Sequence, residues 1–424
     1  LIFERIREEQ SAGKSVRGAL NAGYGKAFGT ILDSNLTTMI SSVLLILLGT
    51  GPIKGFGVAL TVGLVVSMFT ALLVTRLIFD FLLAKTSLLK GGFKMLRFID
   101  GTKIQFMKVA TPAFFASWVL IIAGLLYGVF GRGHRLLGID FAGGDTLTMS
   151  FVQMVEIPKL REAMDKIGVG EAEVDYPRDV AGQAGQNVVL RIVSPRDTGL
   201  KVEQQLKTVF PESKFERIQF DQVGPVVGQE IQKSAILASM LSLFGILVYV
   251  AFRYEFSFAV GAVVAVLHDV LMTIALFSLT GLGSALTGGW IEARQFDATF
   301  VAALLTIIGF SINDTIVIFD RIREDLRLGI PGTFTDILNK ALNQTLSRTI
   351  ITSGTVFLAT LALYLFGGRT INNFAFTFLC GILTGTYSSI YIASGIVYWW
   401  YKGKRPALGT GAVTSVSIPA EVRA

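Results

Sequence analysis

Eight stretches of this sequence are apolar over lengths suited to crossing a bilayer, and most other expectations follow from them. A helix needs about 20 such residues to span hydrocarbon, and the runs lie near 35–50, 56–80, 112–130, 234–252, 257–280, 297–319, 347–366 and 373–400. Lipid offers no partner to backbone N–H and C=O groups, so each run must satisfy them internally, as a helix. Only 16% of the 424 residues are charged and 52% are hydrophobic, with a mean hydropathy of +0.60. Soluble domains carry about 25% charged residues. The 45 Gly and 32 Phe fit helices that pack closely in lipid.

The charges between the runs set an orientation. Arg5, Arg7, Lys14, Arg17 and Lys26, then Lys85 to Lys108, Arg253, Arg321 to Lys340 and Lys402 to Arg405 fall in alternate connections. The remaining short connections hold little beyond Lys54, Arg294 and Arg369. Basic loops stay in the cytoplasm, and the alternation holds through all eight runs. The net charge of +7 is therefore explained by topology, and no nucleic-acid partner is expected. Cys380 stands alone in an apolar run, so neither a disulfide framework nor a thiolate metal site is expected, and no cofactor is. The opening Leu-Ile-Phe-Glu-Arg has no initiator Met and no signal-peptide pattern; it reads as the cytoplasmic end of a helix that begins upstream.

One polar insert, 131–233, falls on the non-cytoplasmic side. Its alternation and helical stripes predict strand Asp145–Met154, helix Pro158–Ile167, strand Glu171–Tyr176, strand Asn187–Val193, helix Thr198–Phe210 and strand Lys214–Val223. The order βαββαβ points to a small ferredoxin-like α+β domain, with no catalytic grouping in it. The expected fold is thus a polytopic α-helical membrane protein of about eight transmembrane helices carrying that one periplasmic domain. The expected parts are a membrane portion 1–92, a linker and first helix of a second module 93–130, the domain 131–233, a five-helix membrane module 234–400 and a cytoplasmic tail 401–424.

The membrane parts repeat. Phe3-Glu-Arg-Ile-Arg-Glu-Glu9 recurs as Phe319-Asp-Arg-Ile-Arg-Glu-Asp325, and each copy precedes a Thr/Ser-rich run and then a Gly-containing run. Ile31–Thr38 parallels Thr345–Thr352, and Gly55-Phe56 parallels Asn373-Phe374. A duplicated module is a common transporter plan.

Ionisable residues inside a membrane helix are costly and mark function by default. Asp314, within Ser311-Ile-Asn-Asp-Thr315, lies six residues and about 9 Å of helix before Asp320. A carboxyl there suits reversible protonation, with a structural hydrogen-bonded carboxylate as the plainer reading. Arg348 opens the next run, with Thr352 one turn above it on the same face. It could pair with an ionised Asp314, or snorkel to the headgroups. His268-Asp269 sits mid-run as either a relay or a packed polar pair. Thr384–Ser389 reads as a helix-packing face. Asp320 and its neighbours read mainly as interfacial anchors.

These residues carry a resemblance. The chain resembles the SecD/SecF family of protein-export membrane subunits, of the resistance-nodulation-division superfamily. The first 92 residues are similar to the end of a SecD, with Ile53-Lys-Gly-Phe56 and Ser67-Met-Phe-Thr-Ala71; the rest is similar to a whole SecF. The matching SecF motifs are Gly138-Ile-Asp-Phe-Ala-Gly-Gly144, His268-Asp269, Gly309 to Glu324, Leu346-Ser-Arg-Thr349 and Gly385-Thr-Tyr-Ser-Ser-Ile390. The resemblance implies a fused chain in the cytoplasmic membrane that works beside the Sec translocon channel and its accessory subunits. There it would draw translocating unfolded polypeptide outward with energy from protons, Na⁺ being the alternative ion.

It also implies that Asp314 and Arg348 are the proton-site pair; from the residues themselves, Asp320, His268 and Asp269 are expected in the proton relay with them. Asp140, Gly143, Gly144, Asn313 and Thr352 then form the structural and coupling motif. The SecD counterpart of Asp314 is expected upstream of Leu1. Protonation of Asp314 would loosen its hold on Arg348, re-pack the modules and move the domain through Gly138–Gly144. The rival readings are a proton-driven exporter of small molecules or lipids, a passive scaffold, and an intramembrane enzyme, for which no catalytic motif is present.

Overall fold

The computed structural model describes residues 1–49, 51–85, 102–170, 172–176, 189–253, 255–287 and 293–406. The expected linker segment 93–101 and tail segment 407–424 lie outside them. Among the described residues eight helices are long and apolar enough to cross a membrane. They are α2 (Val16–Leu48), α3 (Ile53–Lys85), α4 (Phe106–Arg132), α8 (Val226–Arg253), α9 (Phe256–Thr287), α10 (Ala298–Arg327), α11 (Phe334–Phe366) and α12 (Ile371–Trp400). Each holds one of the eight apolar runs. A short helix α1 (Ile2–Ser11) precedes them.

Several helices outrun the expected crossings. At 33 residues, α2 and α11 are about 50 Å long, against about 30 Å of hydrocarbon. The polar stretches ahead of the two apolar runs are the first turns of the same helices. Capping sets those starts: Ser15 Oγ accepts from Gly18 N at 3.2 Å, and Thr333 and Asp336 close a reciprocal capping box.

The duplication is visible in these ends. Ser15 and Thr333, the two N-caps, are 318 positions apart, as are Gly49 and Gly367, the two C-caps. The pairing of Ile31–Thr38 with Thr345–Thr352 is 314 apart and thus runs one helical turn out of step. Each following helix also carries a π-helical turn at matching depth, Thr70–Val74 in α3 and Ser389–Ala393 in α12.

The core sits around α10. Buried residues fill 78% of its apolar window, against 6% in α3, and it packs on α2, α9, α11 and α12. Where α2 crosses it, Thr38 Oγ1 donates to Gly309 O at 3.0 Å. A Cβ at Gly309 would stand 2.7 Å from the Thr38 methyl, so a larger residue would part the two modules. Asn343 on α11 grips the segment entering α4. It accepts from Ile104 N at 3.0 Å and donates to Ile104 O at 2.8 Å.

The insert is the expected ferredoxin-like domain. Its elements are β1 (Gly144–Ser150), α6 (Ile157–Asp165), β2 (Glu173–Asp175), β3 (Val189–Ser194), α7 (Gly199–Val209) and β4 (Glu216–Val223), entered through a one-turn helix α5 (Ile139–Ala142). The sheet order is β2-β3-β1-β4, every pair antiparallel, with Leu147 opposite Ile192 on one side and Phe220 on the other. Leu147, Met149, Leu160, Met164, Leu190, Ile192, Val202 and Leu206 form its core. Strand β1 stops at Ser150 rather than Met154, because Val152 N turns to Ser213 O at 2.9 Å. The expected strand start at Asn187 lies outside the described residues.

Candidate functional site: a buried carboxylate and two polar networks

Asp314 lies on α10, 9% exposed, in a turn it shares with Ser311, Ile312, Asn313 and Thr315. Its Oδ2 accepts from Ser353 Oγ on α11 at 3.1 Å. Thr352, the hydroxyl singled out from the sequence, instead bonds its own helix at Arg348 O, 2.9 Å away. One residue of helix rotation makes Ser353 the partner. The Arg348 guanidinium makes no ion pair or hydrogen bond among the described residues; it lines a cleft of about 1050 Å³ with Glu4, Asp320, Arg321 and Lys340. Asn313, on the same turn as Asp314, is half-buried. Asp320 accepts from Thr30 Oγ1 at 3.4 Å, joining α10 to α2 at the basic end.

The cleft also gathers the two repeated motifs. Arg5 and Arg321, equivalent in the repeat, both reach Glu324, at 3.3 and 2.9 Å. Nearby Glu9 takes Lys14 Nζ and Lys26 Nζ, each at 2.5 Å. Hydrogen bonds from Lys14 and then Lys26 hold its carboxyl down at about 2. These lysines fasten α1 to the start of α2.

His268 and Asp269 form a second site, both fully buried. His268 Nδ1 meets Asp269 Oδ1 at 3.1 Å. The other carboxylate oxygen accepts from Ser388 Oγ on α12 at 2.7 Å and from Ser311 Oγ on α10. The rings of Trp118 and Tyr387 flank the imidazole at centroid distances of 5.9 and 6.1 Å. One carboxylate thus holds three helices. The Thr384–Ser389 stretch therefore does more than pack, since Ser388 reaches Asp269 and Ser389 meets Thr315 Oγ1 at 3.0 Å. Two adjacent serines serve two different helices at the mouth of the π-turn. Such turns re-aim side chains and recur at functional sites.

The third network lies at the opposite end of α10. Asp140 Oδ2 accepts from Ala298 N at 2.8 Å, capping the helix that carries Asp314. Gly143 and Gly144 follow with φ of 74° and 136°. A Cβ at Gly144 would stand 2.8 Å from Ser194 O, so only glycine lets the chain turn into β1. Arg294, read from sequence as one of the sparse outer-loop charges, is 6% exposed and bonds Asn373 Oδ1 at 2.8 Å and Tyr364 OH at 3.2 Å. The sequence holds one signal for it: a lone Arg that shares a short loop between two apolar runs with Glu292 and Asp297.

The family model described as protein export membrane protein SecD/SecF, C-terminal, matches residues 1–85 and 201–403. The protein translocase subunit SecDF of Thermus thermophilus is 35% identical over 409 residues, covering 96% of this chain and 52% of that protein. The protein translocase subunit SecF of Calditerrivibrio nitroreducens is 40% identical over 306 residues, 70% of this chain and 94% of the relative. A crystal structure of SecDF from Thermus thermophilus, described as a translocon-associated membrane protein, matches with a TM-score of 0.81 at 34% identity. It covers 95% of this chain and 52% of that one. A super-membrane-facing form of SecDF matches with a TM-score of 0.71 at 35% identity. The chain spans about half the length of the SecDF relatives.

Proposed function

Because the chain belongs to the SecD/SecF family of protein-export membrane proteins, we propose that it serves as an auxiliary membrane part of the Sec protein translocase, promoting polypeptide export with energy from the proton gradient. The carrying observation is Asp314: a carboxylate buried on the central helix with one neutral hydroxyl, Ser353 on α11, as its side-chain partner, and Arg348 earlier on α11 at a polar cleft. A charge so placed is held by little, and a proton removes it. Uptake at Asp314 ends its attraction for Arg348, and α10 and α11 re-pack. A charge crossing the membrane is worth roughly 2.3 kcal/mol per 100 mV, which biases a two-state element more than tenfold.

In this reading the basic end faces the cytoplasm and the ferredoxin-like domain stands outside, beside the emerging unfolded chain. The translocon channel and its accessory subunits are the protein partners, lipid surrounds the spans, and His268-Asp269 supports the relay helices. The chain's 35% identity to a named SecDF translocase subunit supports this over small-molecule or lipid export. The test is an export assay in vesicles at controlled pH and sodium. Asp314→Asn should abolish gradient-dependent export while leaving membrane insertion and thermal unfolding unchanged; export at the starting level would sink the role. Dependence on sodium rather than pH would replace the proton by Na⁺.

A further inference from the structure

We propose that Arg294 is a positioning residue that locks the chain segment entering the extramembrane domain to the N-terminus of α10, so that domain and helix move as one piece. Arg294 lies in the connection between α9 and α10, yet is buried. Its Nη1 donates to Asn373 and its Nη2 to Tyr364 OH, and its guanidinium carbon stands 4.3 Å from the Phe376 ring centroid. Its backbone N donates to Thr280 Oγ1 at 3.1 Å. Among the described residues no carboxylate meets the guanidinium directly. The charge is answered through Asn373, whose Nδ2 donates to Asp297 Oδ2 at 2.8 Å. Asp297 in turn caps α10, its Oδ1 accepting from Phe300 N at 2.7 Å and Thr299 Oγ1 at 2.8 Å.

The same turn of α10 is gripped from the domain side. Asp140 accepts from Ala298 N, and a single parallel bridge lies beside it. Phe296 N donates to Leu136 O and Gly138 N donates to Phe296 O, both at 2.8 Å, with Leu137 opposite Phe296. Gln232 on α8 closes the far side, donating to Phe141 O at 2.9 Å. Residues 294–298 are thus held by Arg294 on the membrane side while they hold 136–140 on the other. A buried Arg without a direct carboxylate costs more than an apolar side chain of similar size. Its planar fork serves two acceptors at fixed angles, which a Lys cannot. Arg294 therefore earns its place through geometry rather than charge.

The inference rests on the proton reading above only for what drives α10; the clamp itself is tested separately. Spin labels at Lys201→Cys in α7 and Leu286→Cys in α9, with Cys380→Ser, would be measured in the full chain in lipid nanodiscs. One distance should dominate in that parent protein. Arg294→Ala and Arg294→Lys should both widen the distribution about twofold. A width unchanged in Arg294→Ala overturns the clamp, and a width restored by Lys overturns the argument from fork geometry. Arg294→Ala should also lower gradient-dependent export about tenfold; full export with a widened distribution overturns the coupling role. Should Arg294→Ala fail to fold, a Leu137→Cys/Phe296→Cys disulfide serves instead. It should leave gradient-dependent export intact, and a loss reversed by reductant overturns the proposal. If Asp314→Asn leaves export unchanged, the proton reading fails while the label widths still judge the clamp.

Discussion

Asp269 and Asp314 are both buried carboxyl side chains on neighbouring helices, α9 and α10, and their surroundings differ in kind. Asp269 has no exposed surface and is bonded to the His268 imidazole while accepting from two serines, the three partners lying on three helices. Asp314 accepts from one serine, and its neighbour Arg348 opens on a cleft. A carboxylate with its lone pairs filled by rigid partners is a structural joint, because moving it breaks several bonds together. A carboxylate with one hydroxyl partner can lose its charge and its neighbour at small cost. The contrast marks a joint at α9–α10–α12, and under the proposed function it leaves α10–α11 as the contact that moves.

The comparison is broken most severely by Asp269→Ala. It leaves His268 and Ser311 buried without their carboxylate partner and Ser388 with only Gly385 O, 3.2 Å away, and removing one partner of such a network costs about 3–5 kcal/mol. A large drop in the thermal unfolding midpoint in nanodiscs is expected. A midpoint like that of Asp314→Ala would make the two carboxyl sites alike. Next in size is Ser388→Ala, which removes one hydroxyl from the joint for about 1–2 kcal/mol. It should lower the unfolding midpoint while retaining gradient-dependent export.

Ser353→Ala is the matching change at the other site. It should alter export about threefold, worth roughly 0.6 kcal/mol, and barely move the midpoint. Equal thermal shifts for the two serine variants would argue that the sites are of one kind.

The smallest effect concerns Glu9, a carboxylate outside the spans. Its folded value, near 2, lies below its ordinary one, so its contribution is present above the ordinary carboxylate range and fades as pH falls toward 2. Hydrogen exchange of the amides of residues 2–11 should therefore quicken relative to the rest of the chain between pH 5 and about 2. Glu9→Gln should remove that pH dependence; its persistence would assign the effect elsewhere.

Much of the architecture was legible because it follows from solvation along the chain. Eight apolar runs, the Asp314 position and the βαββαβ order of the insert each depend on local sequence. The repeat was legible through a charged motif, but its register was not. Within α2 and α11 the hydroxyl-rich stretches resemble each other at more than one offset, and only the caps at Ser15, Gly49, Thr333 and Gly367 resolve it.

The amino-acid sequence alone determined that this protein crosses a membrane as helices and that a charge lies deep in one of them, since the cost of placing polar groups in hydrocarbon acts on every span by itself. Which hydroxyl meets Asp314, that Ser388 reaches Asp269, and that a loop arginine is buried against α11 and α12 were decided by tertiary structure. Those outcomes turn on helix rotation and crossing, and on a π-helical turn that shifts α12 by a fraction of a turn; contacts between distant segments leave no periodic trace in the chain.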